Sequence, residues 1–124
     1  MNYIDAHVHV WTDDFGQYPL ADGFSPEAIK PPIFYPEDII GHGKNSGVDR
    51  VVLVQMNHYG FDNSYMLDVM REYKGVFSGI AVIDTTAGRP DDEMRRLAKE
   101  GVRGFRVYQG DPVEELIQGA GYVR

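Results

Sequence analysis

The sequence predicts an α/β fold in which about four parallel strands alternate with helices. The segment over 50–55 is a nearly continuous run of valine and leucine, typical of a strand buried in a parallel sheet. A (β/α)8 barrel needs about 250 residues, roughly 31 per unit, so this chain of 124 residues supplies about four units. We expect residues 1–124 to form a single domain equivalent to half of a (β/α)8 TIM barrel. The four strand-like segments begin near Tyr3, Arg50, Val76 and Val102.

The first strand is predicted over Tyr3–Val10, where the residue types alternate. One side carries Asp5, His7 and His9, and we expect the opposite, apolar side to lie under the helices. Residues 11–35 contain four prolines and predict a long irregular connection rather than a helix. The apolar side consists of Ile4, Ala6, Val8 and Val10.

Three helices are predicted between the strands. The first begins at Pro36 with acidic residues in its first turn and ends near Gly47. The second begins after a cap at Asp62 or Asn63 and stops at Gly75. The other predicted elements are strands over Arg50–Gln55, Val76–Ile83 and Val102–Tyr108, a helix over Asp91–Glu100 and a further helix opening over Pro112–Gln118.

Composition limits the classes of partner and site. The net charge of -7 disfavours binding to nucleic acid or to an anionic membrane surface. No segment approaches the ~20 apolar residues that span a bilayer. No cysteine is present, so any metal must be held by His, Asp or Glu. We therefore expect a cytoplasmic protein that acts on a small molecule.

The two histidines of the first strand are the strongest candidate site. Side chains alternate along a strand, so His7 and His9 point to the same side and can converge on one ion, zinc being the best match for two imidazoles. Simple exposure of a polar strand face is the alternative. The pair lies where a strand meets a long loop, the place at which barrel enzymes build their active sites.

The segment IDAHVHVW over 4–11 resembles the start of enzymes in the amidohydrolase-related branch of the amidohydrolase superfamily. The resemblance continues in the same order through GVDRVVLVQMNHYGFDNSYMLD over 47–68, GIAVID over 79–84 and LAKEGVRGFRVY over 97–108. This branch includes enzymes similar to 2-pyrone-4,6-dicarboxylate lactonase and to aminocarboxymuconate-semialdehyde decarboxylase. The sequence resembles the lactonase-like enzymes more. The resemblance implies that the chain is the N-terminal half of a (β/α)8 TIM barrel, with His7 and His9 as metal ligands and catalytic residues.

The resemblance also implies a later histidine and a later aspartate that acts as general base, and these 124 residues contain neither position. His42 falls within the first helix and is expected to be a solvated residue, and His58 follows the second strand, so neither matches. Some members of the branch act without metal, so the resemblance leaves metal-independent action open beside zinc.

Further candidates lie at the ends of the later strands. Gln55, Asn57 and His58 could bind a substrate carboxylate or ring oxygen, or could simply cap the strand end. Arg106 and Tyr108 share one side of the fourth strand, and the guanidinium could bind a carboxylate. The alternative for Arg106 is an ion pair with an acid such as Asp84 or Asp111.

These features together predict a hydrolase that cleaves a C–O bond of a lactone or similar carboxylated ring compound. Decarboxylation of a related unsaturated acid is the first alternative. A non-catalytic half-barrel or split subunit is the second. Because the outer strands of a half-barrel would be open edges, we expect a homo-oligomer or pairing with a partner half-barrel.

Overall fold

The computed structural model describes residues 2–112 and Glu114. Its four strands are β1 (Tyr3–Val8), β2 (Val48–Val54), β3 (Phe77–Ala81) and β4 (Val102–Phe105). Its helices are α1 (Pro36–Lys44), α2 (Ser64–Glu72) and α3 (Pro90–Lys99). The strands form one parallel sheet in the order β1-β2-β3-β4, so each helix connects two neighbouring strands. The predicted alternation of parallel strands and helices is confirmed.

The core lies between the helices and one side of the sheet. Leu53 of β2, Met66 of α2 and Leu97 of α3 are almost completely buried. Val52 and Val54, which flank Leu53 in β2, are only half-buried, because they point to the side of the sheet away from the helices. The sheet therefore has a helix-covered side and a second, more open side.

The apolar side of β1 is only partly covered by helices, which corrects the sequence prediction. Ile4 is 50% exposed and Ala6 is also exposed, whereas Val8 and Val10 pack against the core. β1 is the outer strand of the sheet among the described residues, and α1 packs against β2. The beginning of β1 therefore lies beyond the reach of the helix layer.

The strands end earlier than predicted, and their ends form one edge. β4 stops at Phe105 rather than at Tyr108, and β1 stops at Val8. The candidate residues therefore follow the strands, in the irregular backbone where parallel strands place their carboxyl ends. The predicted helix over 112–118 lies outside the described residues except for Pro112 and Glu114.

The long connection over 11–35 is irregular as predicted and is held at several points. Trp11 and Phe34 form an isolated antiparallel bridge near its two ends. The backbone N–H of Thr12 donates to the hydroxyl of the buried Tyr59, and the N–H of Ala21 donates to the carbonyl of His58. The connection therefore lies against the short turn that follows β2.

Candidate functional site

His7 and His9 point away from the helices. Val8 and Val10 pack against the core, and alternation along the chain directs the intervening His7 and His9 to the open side of the sheet. Their rings meet edge to face, with centroids 5.0 Å apart and planes at 90°. The predicted pairing of the two imidazoles on one side of the strand is present in the structure.

The ring of His9 is fixed by the end of β2. Its Nδ1 lies 2.6 Å from the carbonyl oxygen of Val54, and a carbonyl can only accept, so the neutral ring carries its proton on Nδ1. Nε2 is then the nitrogen with a free lone pair. Metal-binding histidines are commonly oriented in this way by a carbonyl on the opposite nitrogen.

The histidine pair is the candidate for part of a metal shell. The two ring centroids lie 5.0 Å apart, close enough for both imidazoles to reach one ion. Within residues 2–112 and Glu114, no group of three or more His, Cys, Asp or Glu side chains is arranged to hold an ion. The described part of the chain could therefore supply two imidazoles of the four ligands usual for zinc.

Arg106 reaches the same strand end from the opposite direction. Its backbone N–H donates to the carbonyl of Ala81 at 2.8 Å, and its Nη1 donates to the carbonyl of Gln55 at 2.8 Å. The guanidinium carbon lies 5.2 Å from the ring centroid of Tyr108, within the range of a cation–π contact. Arg106 and Tyr108 are therefore neighbours, as their shared side of the chain predicts.

The acids considered as partners of Arg106 are engaged elsewhere. The carboxylate of Asp84 accepts hydrogen bonds from the hydroxyl and from the backbone N–H of Thr86, and these hydrogen bonds lower the pKa of the carboxyl. Asp111 accepts from the Thr85 hydroxyl at 3.0 Å. The ion-pair alternative for Arg106 is therefore not what the described residues show, because the guanidinium binds a backbone carbonyl instead.

The side chain of Gln55 lies on the helix-covered side of the sheet, away from the open side that holds the histidine pair. Its side chain is 2% exposed, on the helix-covered side with Leu53. Nε2 donates to the carbonyl of Asp62 at 2.9 Å, and Oε1 accepts from the N–H of Met56 at 3.1 Å. Both ends of the amide are used within the chain, so the position of Gln55 does not support its predicted contact with a substrate.

His58 lies in the turn Asn57–Tyr59 after β2, and Asn57 beside it is exposed. The buried Nδ1 of His58 has no hydrogen-bond partner among the described residues. Burial lowers the pKa of His58, and the charge of His9 lowers it further. The Phe24 ring from the long connection meets the His58 ring edge to face at 5.0 Å. His58 thus lies close enough to His9 to be influenced by its charge, and it contacts the long connection through Phe24.

Asn63 is a residue of this edge whose role the sequence did not reveal. It occupies the cap position of α2, but its Nδ2 donates to the carbonyl of Val82 at 2.8 Å and its Oδ1 accepts from the Val82 N–H at 3.0 Å. The carboxylate of Asp62 accepts from the N–H of Ser64 at 2.9 Å in its place. An Asp-Asn pair before a helix indicates a cap, and nothing local indicates a bond to the next strand.

His42 lies exposed in α1, as predicted for a solvated helix residue. None of the helices in the described part of the chain is long and apolar enough to cross a membrane. A cytoplasmic location stays a prediction.

Comparison with known proteins places these features in a family. Residues 4–120 match the model of the amidohydrolase family. The chain is 29% identical over 129 aligned positions to 2-pyrone-4,6-dicarboxylate hydrolase of Comamonas testosteroni, covering 97% of this chain and 39% of that protein. It is 27% identical over 104 positions to D-galactarolactone isomerase of Agrobacterium fabrum, covering 84% of this chain and 34% of that protein.

A solved structure confirms the fold. The crystal structure of a probable 2-pyrone-4,6-dicarboxylic acid hydrolase from Acinetobacter baumannii, with citric acid bound, superposes with a TM-score of 0.77 at 23% identity. The match covers 99% of this chain and 47% of that one, so the four strands and their helices correspond to half of a (β/α)8 barrel. The chain spans well under half the length of the two curated relatives. With a match that extends over residues 4–120, the chain belongs to the amidohydrolase family.

Proposed function

We propose that this chain forms part of the active site of a hydrolase that opens the C–O bond of a lactone bearing carboxylate groups. The observation that carries the proposal is that one imidazole of the histidine pair and one guanidinium are bound to consecutive carbonyls at the end of β2. His9 is bound to the carbonyl of Val54, and Arg106 is bound to the carbonyl of the next residue, Gln55. The names of both curated relatives point to ring esters, a pyrone and an aldarolactone.

The cationic Arg106 and the two histidines would contact different groups of the substrate. Arg106 would orient the substrate by hydrogen bonding to a carboxylate, since a guanidinium presents several donors in a fixed plane. The Tyr108 ring, whose centroid lies 5.2 Å from the guanidinium carbon, would limit rotation of the guanidinium group. His7 and His9 would face the ring carbonyl, with His9 held in one tautomer by Val54. Water would add to the carbonyl carbon, the ring C–O bond would break, and a new carboxylate and hydroxyl would result.

His7 and His9 would also hold a divalent metal, zinc being the ion that two imidazoles suit. When bound, such an ion supplies Lewis acidity toward the carbonyl and lowers the pKa of water. Action without metal would leave the unprotonated Nε2 of His9 to accept a hydrogen bond from the attacking water and so position it. Both forms of the proposal require the Nδ1–H of His9 to be held by Val54, because only then is Nε2 directed to the substrate side.

The test is the binding and turnover of 2-pyrone-4,6-dicarboxylate by the purified chain. Ring opening is followed by ultraviolet absorbance and by proton release, and binding is followed by NMR of the histidine ring signals. We expect His9→Ala to remove turnover and Arg106→Ala to weaken binding by about 10- to 100-fold, as for the loss of a charge-assisted hydrogen bond. The exposed His42→Ala is the matched control and should behave as the unchanged chain.

Equal turnover by the His9→Ala and His42→Ala variants, or equal binding by the Arg106→Ala and His42→Ala variants, would contradict the proposal. Release of carbon dioxide in place of a proton would favour the decarboxylase alternative. Binding without turnover would support the substrate assignment and would be consistent with a site that the described residues complete only in part.

A further inference from the structure

We propose that Gln55 is a positioning residue that fixes the direction of the carbonyl to which Arg106 is bound, and thereby the location of the guanidinium. The consequence for substrate carboxylates rests on the proposed function. The positioning itself does not, because it concerns only contacts within the chain. Gln55 thus acts through Arg106 and has no contact with the substrate.

The argument begins with two successive peptide groups at the end of β2. The group between Val54 and Gln55 offers its carbonyl to His9 Nδ1 at 2.6 Å and its N–H to the carbonyl of Ile80 at 2.9 Å. The group between Gln55 and Met56 offers its carbonyl to Arg106 at 2.8 Å. Consecutive peptide groups therefore hold the imidazole on one side of the strand end and the guanidinium on the other.

The second of these peptide groups lies beyond the sheet hydrogen bonds of β2, which ends at Val54. Its N–H belongs to Met56 and donates to Oε1 of the Gln55 side chain at 3.1 Å. A trans peptide group is planar, with its N–H and carbonyl pointing in opposite directions. Holding the N–H therefore also sets the direction of the carbonyl that accepts from Arg106.

The amide of Gln55 is itself held by the loop between β2 and α2. Nε2 donates to the carbonyl of Asp62 at 2.9 Å, and the side chain is 2% exposed. A buried amide with both ends satisfied has little freedom to turn, since any rotation would leave polar groups without partners. The orientation of the Gln55 side chain is thus determined on the covered side of the sheet and transmitted to the open side.

The distribution of buried polar residues supports this role. Among the described residues, Thr12, Gln55 and Asn63 are the buried polar or charged ones, and all three follow strands at the carboxyl edge of the sheet. The rest of the buried set is apolar. Buried amides are therefore confined to the part of the fold where irregular backbone has to present side chains to the site.

Two substitutions of Gln55 separate positioning from packing. Methionine has a similar shape but can neither accept from Met56 nor donate to Asp62. Glutamate in its protonated form can do both, because a carboxylic acid has one donor and one acceptor oxygen. Burial favours that protonated form. Leu67→Ala, a core substitution in α2, is the control for a general loss of stability.

The first readout is the NMR signal of the Arg106 side-chain N–H groups in the full chain without ligand. We expect Gln55→Met to shift and broaden this signal, while Gln55→Glu at low pH and Leu67→Ala leave it in place. The second readout is affinity for citrate, a free tricarboxylate. Gln55→Met should weaken it about tenfold, or about 1.4 kcal/mol, and Gln55→Glu should regain the affinity as the pH is lowered.

An unchanged Arg106 signal in Gln55→Met would overturn the inference, whatever the citrate result. Equal shifts and broadening of the Arg106 signal in Gln55→Met and Leu67→Ala would overturn it as well. A shifted Arg106 signal with undiminished citrate affinity would uphold the positioning role and count against the proposed carboxylate contact. The two proposals can therefore fail separately.

Discussion

Replacement of Asn63 by leucine should be one of the most damaging single changes at the carboxyl edge. The side chain is 4% exposed and forms hydrogen bonds with both the N–H and the carbonyl of Val82, which is itself 3% exposed. Leaving a buried backbone group without a partner costs about 1–3 kcal/mol, so two groups cost about 2–6 kcal/mol. Greater apolar burial by leucine offsets part of this, and we expect a loss of about 3 kcal/mol.

The assay is urea unfolding followed by circular dichroism, in which a loss of stability lowers the midpoint at constant slope. Asn57→Leu is the matched control, because it makes the same chemical change at an exposed asparagine six residues earlier. Surface substitutions usually change stability by less than about 0.5 kcal/mol. A loss below about 1 kcal/mol for Asn63→Leu, or equal losses for both variants, would refute the argument from buried hydrogen bonds.

Other predictions concern the core, the long connection and the sheet edge. A Cβ at Gly79 would lie 2.7 Å from a methionine sulfur, so Gly79→Ala should cost about 1 kcal/mol, whereas Gly88→Ala, with open space around it, should cost nothing in the same unfolding assay. The hydrogen bond to Asp68 raises the pKa of Tyr18 from 10.0 to about 12. The stability that Tyr18 adds over Tyr18→Phe should therefore be constant below pH 10.0 and vanish as the pH rises to about 12; a constant gap would contradict this. Self-association also stays a prediction: sedimentation should show a dimer or larger species that Ile4→Lys weakens, and a monodisperse monomer would count against it.

The alternation of strands and helices could be predicted because it depends on local patterns. The run Val51–Val54 and the apolar stripe of α2 each report their own element without knowledge of the rest of the chain. The burial of β1 could not be predicted in the same way. Ile4 carries the pattern of a covered residue, yet its exposure depends on where α1 packs, which is a property of the assembled layers.

The candidate site could be predicted in part, where it too depends on local alternation along a strand. His7 and His9 share a side by strand alternation alone, and Arg106 and Tyr108 are neighbours by the same rule. Gln55 was misassigned because its position at a strand end is compatible with either side of the sheet. Only the contacts with Asp62 and Met56 show that its amide is engaged on the covered side.

The long-range hydrogen bonds had no counterpart in the sequence. The bond from His9 to Val54 spans 45 residues, and that from Arg106 to Gln55 spans 51. Both require a strand order that brings β1 and β4 to opposite sides of the end of β2. Local propensities do not specify the strand order. A parallel sheet in which consecutive strands are neighbours does bring these residues to the end of β2.

The most direct test of the central claim, that His7 and His9 form a metal-binding pair, is the zinc content of the purified chain. Elemental analysis after dialysis against zinc should find a stoichiometric amount in the unchanged chain and in His42→Ala, whose imidazole is exposed on α1. The double variant His7→Ala, His9→Ala should retain only background metal while keeping its circular dichroism spectrum. Equal zinc in the double variant and the unchanged chain would contradict the claim.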